Sequence, residues 1–156
     1  MISVEIPGYG SVKIENLVMD YNGTMAVDGY LVNGLKPLIE DLAKGISIYV
    51  ITADTFGRVA EELADLPVKV AKLKGPDEGA EKLQLINKLG RDVTAAIGNG
   101  NNDGLMLKGS AVGICIMGKE GCSKRAMDGA DIVMGDITSA LELLKNPNRL
   151  KATLRF

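Results

Sequence analysis

The chain has 156 residues and a formal net charge of −2, and 46% of its residues are hydrophobic. This length and composition are typical of one globular domain with a substantial apolar core. The absence of His excludes Ser-His-Asp and Cys-His catalysis and most zinc sites, and the net charge argues against a nucleic-acid-binding surface.

The first 15 residues alternate between apolar and polar positions on either side of a Pro-Gly turn. Ile2, Val4 and Ile6 precede the sequence PGYGS, and Val12 and Ile14 follow it. This pattern predicts a β-hairpin over residues 1–15. The hairpin is expected either to extend the main sheet or to offer an edge to a second subunit, so a homo-oligomer is one expectation.

After the hairpin, short apolar runs alternate with segments of helical periodicity. Strands are predicted in ENLVMD, ISIYVITAD, VKVAKL, VTAAIGNG, AVGICIMG and ADIVMG. Helices are predicted in GLKPLIEDLAK, TFGRVAEELADL and AEKLQLINKLG, around residues 104–108, in CSKRAMDGA as a short helix or loop, and in a last helix that carries Ile137, Leu141 and Leu144. Strands that are apolar on both faces and separated by helices form a parallel sheet covered on both sides. We therefore expect a doubly wound α/β fold in which residues 1–156 form one domain.

The two cysteines do not have CxxC spacing. Cys115 lies within an apolar run, so we expect a small buried free thiol there, and Cys122 lies seven residues later. No secretory signal precedes the first strand, and no apolar run approaches ~18 residues. These observations predict a reduced, cytoplasmic protein with neither a membrane nor a nucleic-acid partner.

Polar residues gather at the ends of three predicted strands. They are Asp20, then Thr52 with Asp54, and then the residues from Gly98 to Asp103. The carboxyl ends of parallel strands lie at one edge of the sheet, which is where such folds bind ligands. Each pattern alone is weak, because Asp-x-Asn-Gly-Thr is also typical of an ordinary turn. The loop GNGNNDG lacks the third Gly of a dinucleotide motif, and the carboxylate there would repel a pyrophosphate.

Together and in this order, the three segments resemble the motifs of the haloacid dehalogenase (HAD) superfamily, which includes phosphatases and the phosphorylation domains of P-type ATPases. DYNGT at 20–24 is similar to the first motif, and ITAD at 51–54 is similar to the second. Lys82 is matched to the motif lysine, although a nearby lysine is an alternative, and GNGNND at 98–103 is similar to the last motif. The resemblance covers about residues 15–145 and is greatest to the soluble, P-type-ATPase-like branch.

The resemblance implies a HAD-like Rossmannoid fold, a Mg²⁺ cofactor and a small phosphorylated substrate. It implies that Asp20 is a nucleophile that forms an aspartyl-phosphate. The implied catalytic residues are Asp20, Asn22, Thr52 and Lys82. The implied phosphate-binding residues are Gly23, Thr52, Ala53 and Lys82, and the implied metal ligands are Asp20, Asn22, Asn99 and Asp103.

Two positions depart from the pattern of the family's phosphatases. Asn22 stands where those enzymes carry an Asp that protonates the leaving group and then activates water. Losing a general acid–base typically slows a reaction by ~10²–10⁴. Asn99 stands where a metal-binding Asp is usual, and an amide oxygen attracts Mg²⁺ less strongly. Both residues precede Gly, and an Asn-Gly pair can deamidate, which would restore the usual Asp. The simpler explanation of the two Asn-Gly pairs is that they form tight turns.

Three functions follow from this pattern. The first is a slow, Mg²⁺-dependent phosphohydrolase, and the second is a non-catalytic phosphate- or metabolite-binding relative. The third, a phospho-receiver domain, is disfavoured because the first main strand ends in Met19-Asp20 and not in an acidic pair. Residues 24–35 and 52–82 are too few to hold a cap domain, so we expect a site that is open to water or covered by a neighbouring subunit.

Overall fold

The N-terminal hairpin is the first element of the computed structural model, which describes residues 1–54 and 57–156. It consists of β1 (Ile2–Ile6) and β2 (Gly10–Ile14), which pair antiparallel with Ile2 opposite Ile14. The predicted hairpin is therefore confirmed. It forms a two-stranded sheet of its own, so the expectation that it extends the main sheet is wrong. Its inward side chains, among them Ile6 and Val12, pack instead into the apolar core.

Six parallel strands form the central sheet. The remaining strands in chain order are β3 (Asn16–Asp20), the short pair β4 (Ala26–Val27) and β5 (Tyr30–Leu31), β6 (Ser47–Thr52), β7 (Lys69–Lys72), β8 (Thr94–Gly98), β9 (Val112–Ile116) and β10 (Ile132–Met134). The sheet order is β10-β9-β8-β3-β6-β7. The strand that ends in Asp20 therefore lies near the middle of the sheet, between β8 and β6.

Helices cover both faces of this sheet. They are α1 (Leu35–Leu42), α2 (Arg58–Leu63), α3 (Glu78–Leu89), α4 (Gly104–Gly109), α5 (Lys124–Gly129), α6 (Ile137–Lys145) and α7 (Pro147–Leu154). Helices α1, α2, α6 and α7 share one buried apolar cluster with the hairpin, and α3, α4 and α5 share the other. Strand β3 contributes Leu17 and Met19 to the first cluster and Val18 to the second, because successive side chains point to opposite faces. The predicted doubly wound fold is confirmed.

Several details differ from the sequence-based expectation or lie outside it. The predicted helix TFGRVAEELADL begins with Thr55 and Phe56, which lie outside the described residues, and its later part forms α2. The short hairpin β4–β5 and helix α7 were not predicted. Helix α7 begins at Pro147, whose missing N–H and fixed φ suit the first turn of a helix. No helix among the described residues combines the length and apolar composition of a membrane-spanning segment.

The expectation of a free thiol at Cys115 is wrong. Cys115, in β9, forms a disulfide with Cys122, with an S–S distance of 2.08 Å. The chain turns back after β9 through the pair Gly118 and Gly121, where the Gly121 N–H donates to the Gly118 carbonyl at 3.0 Å. This turn returns Cys122 to the end of the strand, and no motif spacing in the sequence indicates it.

Candidate active site

The three polar strand ends meet at one edge of the central sheet. Strands β8, β3 and β6 are adjacent and parallel, so Asp20 ends the middle strand with Thr52 and Gly98 on either side. A cavity of about 280 Å³ opens there. The described residues that line it are Asp20, Asn22, Thr52, Ala53, Leu73, Glu78, Lys82, Asn99, Gly100 and Asn102. Six of the eight predicted site residues thus share one cavity.

The other two predicted residues lie just outside this cavity. Gly23 follows Asn22 and lines a neighbouring cavity of about 650 Å³, between the β4–β5 hairpin and the loops after β9 and β10. Asp103 is fully buried beneath the site. Both residues nevertheless contact the cavity lining. A Cβ atom placed on Gly23 would meet the side chain of Asn99. Asp103 accepts hydrogen bonds from Lys82 and from the backbone of Asn99 and Gly100.

Lys82 joins the two buried carboxylates. Its Nζ atom donates to Asp20 Oδ1 and to Asp103 Oδ1, each at 2.7 Å, and its side chain is 1% exposed. Helix α3 follows strand β7, so it begins at the carboxyl edge of the sheet and runs back along it, which carries Lys82 to Asp20. One cation shared between two carboxylates leaves the group with a net negative charge that a bound cation would offset.

Asp103 already uses both carboxylate oxygens. Oδ1 accepts from Lys82, and Oδ2 accepts from the backbone N–H groups of Asn99 at 2.9 Å and Gly100 at 2.8 Å. Gly98 makes this arrangement possible, because a Cβ atom there would lie 2.5 Å from Asp103 Cγ. In this geometry Asp103 holds Lys82 and the loop after β8 in place.

Burial and the neighbouring charges shift the pKa values of Asp20 and Lys82. Burial is the main cause that raises the pKa of Asp20 to about 7, and the negative charge of Asp103 adds to this effect. Lys82 opposes both effects without cancelling them. Burial lowers the pKa of Lys82, but the two carboxylates outweigh burial and raise it above its ordinary value, so the lysine stays charged.

Oxygen atoms from three segments converge beside Asp20. The hydroxyl of Thr24 lies 3.5 Å from Asp20 Oδ2 and 3.2 Å from Asn99 Oδ1. Its single hydrogen cannot serve both acceptors. Among the described residues, no group donates a hydrogen bond to the carbonyl of Asn22. This donor set of carboxylate, amide and carbonyl oxygens suits Mg²⁺, which prefers oxygen ligands and retains several waters.

The metal would depend on amide and carbonyl oxygens as well as on one carboxylate. Within the described ranges, no group of three or more His, Cys, Asp or Glu side chains could hold a metal ion. The amide of Asn99 is oriented so that its oxygen is available to a metal ion. Its Nδ2 donates to the Gly121 carbonyl at 3.1 Å, and its Oδ1 faces Thr24.

The second predicted motif lies opposite this oxygen cluster. The hydroxyl of Thr52 is 3.0 Å from the Asp54 carbonyl oxygen and 3.2 Å from the Asp54 N–H, and the residue is 3% exposed. Thr52 and Ala53 line the cavity next to Asp20. The hydroxyl donates to the Asp54 carbonyl and accepts from the Asp54 N–H, so it would donate to a phosphoryl oxygen by giving up the first of these bonds.

Sequence reasoning missed four residues of the site, Thr24, Glu78, Asn102 and Glu120. Thr24 belongs to the first motif, and Glu78 is four residues before Lys82, which places both on one face of α3. That spacing could have indicated Glu78. Glu120 accepts a hydrogen bond from the Asp28 N–H at 2.8 Å and so joins the β4–β5 hairpin to the loop after β9. No sequence signal indicates this contact.

Comparison with protein families and curated proteins gives one informative match. No family model matches the chain. The chain is 45% identical over 92 residues to uncharacterized protein MJ0073 of Methanocaldococcus jannaschii. The match covers 56% of this chain and 99% of that protein.

Solved structures share the fold at low sequence identity. A 3-deoxy-D-manno-octulosonate 8-phosphate phosphatase from Moraxella catarrhalis, in complex with magnesium ion, phosphate ion and KDO, matches with a TM-score of 0.65 and 19% identity, covering 91% of this chain and 94% of that one. A Legionella pneumophila hydrolase ascribed to HAD superfamily subfamily III A matches with a TM-score of 0.67 and 20% identity, covering 90% and 86%.

Part of a zinc-transporting ATPase has a similar fold. A zinc-transporting PIB-type ATPase matches with a TM-score of 0.58 and 22% identity, covering 79% of this chain but 20% of the transporter. The match is therefore confined to a part of that protein, and it agrees with the resemblance to P-type ATPases. The chain belongs to the same family as protein MJ0073, and its fold is that of the HAD superfamily.

Proposed function

We propose that the protein is a Mg²⁺-dependent phosphohydrolase that acts through an aspartyl-phosphate on Asp20. The observation that carries this proposal is the buried contact of Lys82 with both Asp20 and Asp103 at the edge of the cavity. A lysine at this point neutralises charge on an approaching phosphoryl group, and an anionic nucleophile needs such neutralisation before it can attack.

The other residues have roles that follow from their positions. Asp20 Oδ2, Asn99 Oδ1 and the Asn22 carbonyl would hold Mg²⁺, which supplies positive charge that draws the phosphoryl group to the nucleophile. Thr52 and the backbone of Ala53 would bind phosphoryl oxygens. The Gly23 N–H would do so only by giving up its hydrogen bond to the Ala26 carbonyl, at 3.0 Å. We assign Asp103 to positioning, because its two oxygens are already engaged and it would reach a metal only by giving up one of these bonds.

The substrate is proposed to be a small phosphorylated molecule. The Moraxella catarrhalis protein is named for a phosphorylated sugar acid, and this supports a substrate of that size. Turnover is proposed to be slow, because the Asn22 side chain stands at the cavity without an acidic proton. A cytoplasmic location and a homo-oligomer stay predictions.

Release of inorganic phosphate tests the proposal. We expect Mg²⁺-dependent hydrolysis of p-nitrophenyl phosphate, which Asp20→Asn abolishes because the amide is not a nucleophile. Asp92→Asn is a matched control, since Asp92 is exposed and precedes β8 at the opposite edge of the sheet. If Asp20→Asn retains activity, Asp20 is not the nucleophile.

The two asparagines support a second candidate, a protein that binds a phosphorylated metabolite without turning it over. Asn22 and Asn99 both face the cavity in place of carboxylic acids. In that case phosphate would raise the melting temperature in the presence of Mg²⁺, and no phosphate would be released. Mass spectrometry of fresh protein must exclude deamidation at both positions, because converted molecules would carry the usual acids.

A further inference from the structure

Glu78 is a second carboxylate at the cavity, and the proposed mechanism does not use it. Of the described residues that line the cavity, only Asp20 and Glu78 carry carboxyl groups. Glu78 is half-buried, at the start of α3, four residues before Lys82. One turn of helix therefore separates the two side chains on the same face.

The direction of α3 fixes which side of Lys82 the glutamate occupies. The helix begins at the carboxyl edge of the sheet and runs back, so Glu78 is nearer to the mouth than Lys82. It also lines an adjoining cavity of about 630 Å³, together with Pro76, Asn101, Leu105 and Arg125. Glu78 thus stands where the cavity at Asp20 opens into a space large enough for a leaving group.

The carboxyl group of Glu78 is oriented by a hydrogen bond to one of its two oxygens. Asn102 Nδ2 donates to Glu78 Oε2 at 2.5 Å, and no hydrogen bond to Oε1 is found among the described residues. The neighbouring acids of the helix have structural contacts instead. Asp77 Oδ1 accepts from the Ala80 N–H at 3.0 Å, and Glu81 accepts from the backbone N–H groups of Lys74 and Gly75.

We propose that Glu78 acts as the general acid and base at this site, from one helical turn farther out than Lys82, so that turnover is slow without an acid at position 22 but is not lost. This inference rests on the proposed phosphohydrolase function. An in-line displacement places the leaving oxygen on the side of phosphorus opposite Asp20, which is toward the mouth of the cavity. Lys82 contacts the nucleophile, and Glu78 lines the cavity one helical turn farther out, on the side toward which the leaving oxygen departs.

The two chemical steps balance through one proton. In the first step, an Asp20 oxygen forms a bond to phosphorus, the bond from phosphorus to the leaving oxygen breaks, and protonated Glu78 gives its proton to that oxygen. In the second step, the Glu78 carboxylate takes a proton from water as the water oxygen bonds to phosphorus. The bond from phosphorus to Asp20 breaks, which releases phosphate and restores both carboxyl groups.

Leaving-group dependence tests this role. An alkyl phosphate leaves as a basic alkoxide and needs a proton, whereas dinitrophenyl phosphate needs little assistance. We expect Glu78→Gln to slow alkyl phosphate hydrolysis by ~10²-fold or more, while Asp20 is still phosphorylated by dinitrophenyl phosphate at nearly the original rate. The lifetime of the phosphorylated protein should lengthen by a similar factor. Glu40→Gln, an exposed charge change on α1, is the control.

Two further variants separate proton transfer from structural damage. Glu78→Asp keeps the acid on a shorter side chain and should retain part of the alkyl phosphate activity. Asn22→Asp in the Glu78→Gln background should restore hydrolysis of poor leaving groups, because it places an acid at the position that the family's phosphatases use. Rescue of this kind supports loss of a proton donor as the cause.

The outcomes distinguish the two proposals. If the wild type neither releases phosphate from dinitrophenyl phosphate nor carries phosphate in intact-protein mass spectrometry, the proposed function itself fails. If Asp20 becomes phosphorylated but Glu78→Gln changes neither the leaving-group dependence nor the lifetime, the assignment of Glu78 is overturned and the phosphohydrolase proposal stands.

Discussion

At the scale of single residues, Asn99, the proposed neutral metal ligand, is held in place beside charged groups. Its amide oxygen faces the Thr24 hydroxyl, which also lies near Asp20, and its Nδ2 donates to the Gly121 carbonyl. A Cβ atom on Gly23 would lie 2.4 Å from Asn99 Nδ2 and 2.7 Å from Glu120 Oε2, so the amide and the Glu120 carboxylate flank the same glycine. An amide at position 99 avoids repulsion with Glu120, which a second carboxylate there would experience.

We predict that Asn99→Asp tightens Mg²⁺ binding, because it adds an anionic ligand beside Asp20. A gain of about tenfold corresponds to ~1.4 kcal/mol. The gain should be larger in a Glu120→Gln background, where the repulsion is absent. Titration of the melting temperature with Mg²⁺ measures both effects. An unchanged or weaker affinity in both backgrounds would remove Asn99 from the metal site.

The acidity of Asp20 predicts a pH dependence of stability. The pKa of Asp20 is raised from its ordinary value of 3.8 to about 7, mainly by burial. Between these values the folded state holds a proton that the unfolded state has lost, so the contribution of Asp20 to stability falls as the pH rises. As the pH rises from about 4 to about 7, the free energy of unfolding of the metal-free wild type should fall by up to a few kcal/mol relative to that of Asp20→Asn. Above about pH 7 it should change little.

Denaturant unfolding of both proteins across this pH range measures the difference. Mg²⁺ should reduce the slope for the wild type only, because a bound cation favours the ionised carboxylate and lowers its pKa. A constant difference between wild type and Asp20→Asn at all pH values would show that Asp20 has an ordinary pKa in the folded protein.

Much of the site was predictable at this scale, and its contacts were not. Asp20, Thr52 and Lys82 follow from residue types at strand ends and from the family resemblance. The lysine's two partners and the engagement of both Asp103 oxygens depend on the close approach that Gly98 allows, which no linear pattern encodes. Glu120 was unpredictable because its contact with Asp28 joins two loops that are 92 residues apart.

At the scale of elements, the strands of the central sheet were predictable because burial on both faces gives continuous apolar runs. The pair β4–β5 was not, because two strands of two residues each carry no periodicity. No element is predicted for residues 147–154, yet they form α7, where Leu150 is fully buried against the hairpin side of the core. Short elements of this kind form because the rest of the fold offers them a surface to pack on.

Helix α3 carries both Lys82 and the proposed acid–base Glu78. Asp77 caps the helix, and the next residue is Glu78, so the helix start positions the proposed acid–base directly. Lys82 follows one turn later at the buried end of the cavity. Because both side chains belong to one helical face, their spacing is set by helix geometry and does not depend on loop conformation.

At the scale of the whole molecule, the disulfide joins the core to the site. Cys115 is buried in the cluster beneath α3, α4 and α5, and Gly98 pairs with it in the neighbouring strand. Cys122 leads into Ser123, whose N–H donates to the Asn99 carbonyl at 2.8 Å. The loop that the disulfide closes therefore contacts the proposed metal ligand through Gly121, and Ser123, which follows Cys122, contacts it as well.

We predict that reduction of the Cys115–Cys122 disulfide lowers both global stability and Mg²⁺ affinity. Freeing a closed loop of this short length should cost ~2–3 kcal/mol, or ~5–10 °C in melting temperature for a domain of this size. Mg²⁺ affinity should fall as well, because the freed loop no longer fixes the carbonyl that orients the Asn99 amide. Thermal melting and Mg²⁺ titration with and without dithiothreitol measure the two effects.

Cys122→Ser should already have the lower stability and should not respond to the reductant, which separates disulfide cleavage from other effects of dithiothreitol. If the wild type melts at the same temperature in both states, the disulfide does not stabilise the fold, and if only Mg²⁺ affinity stays constant, the loop does not control Asn99.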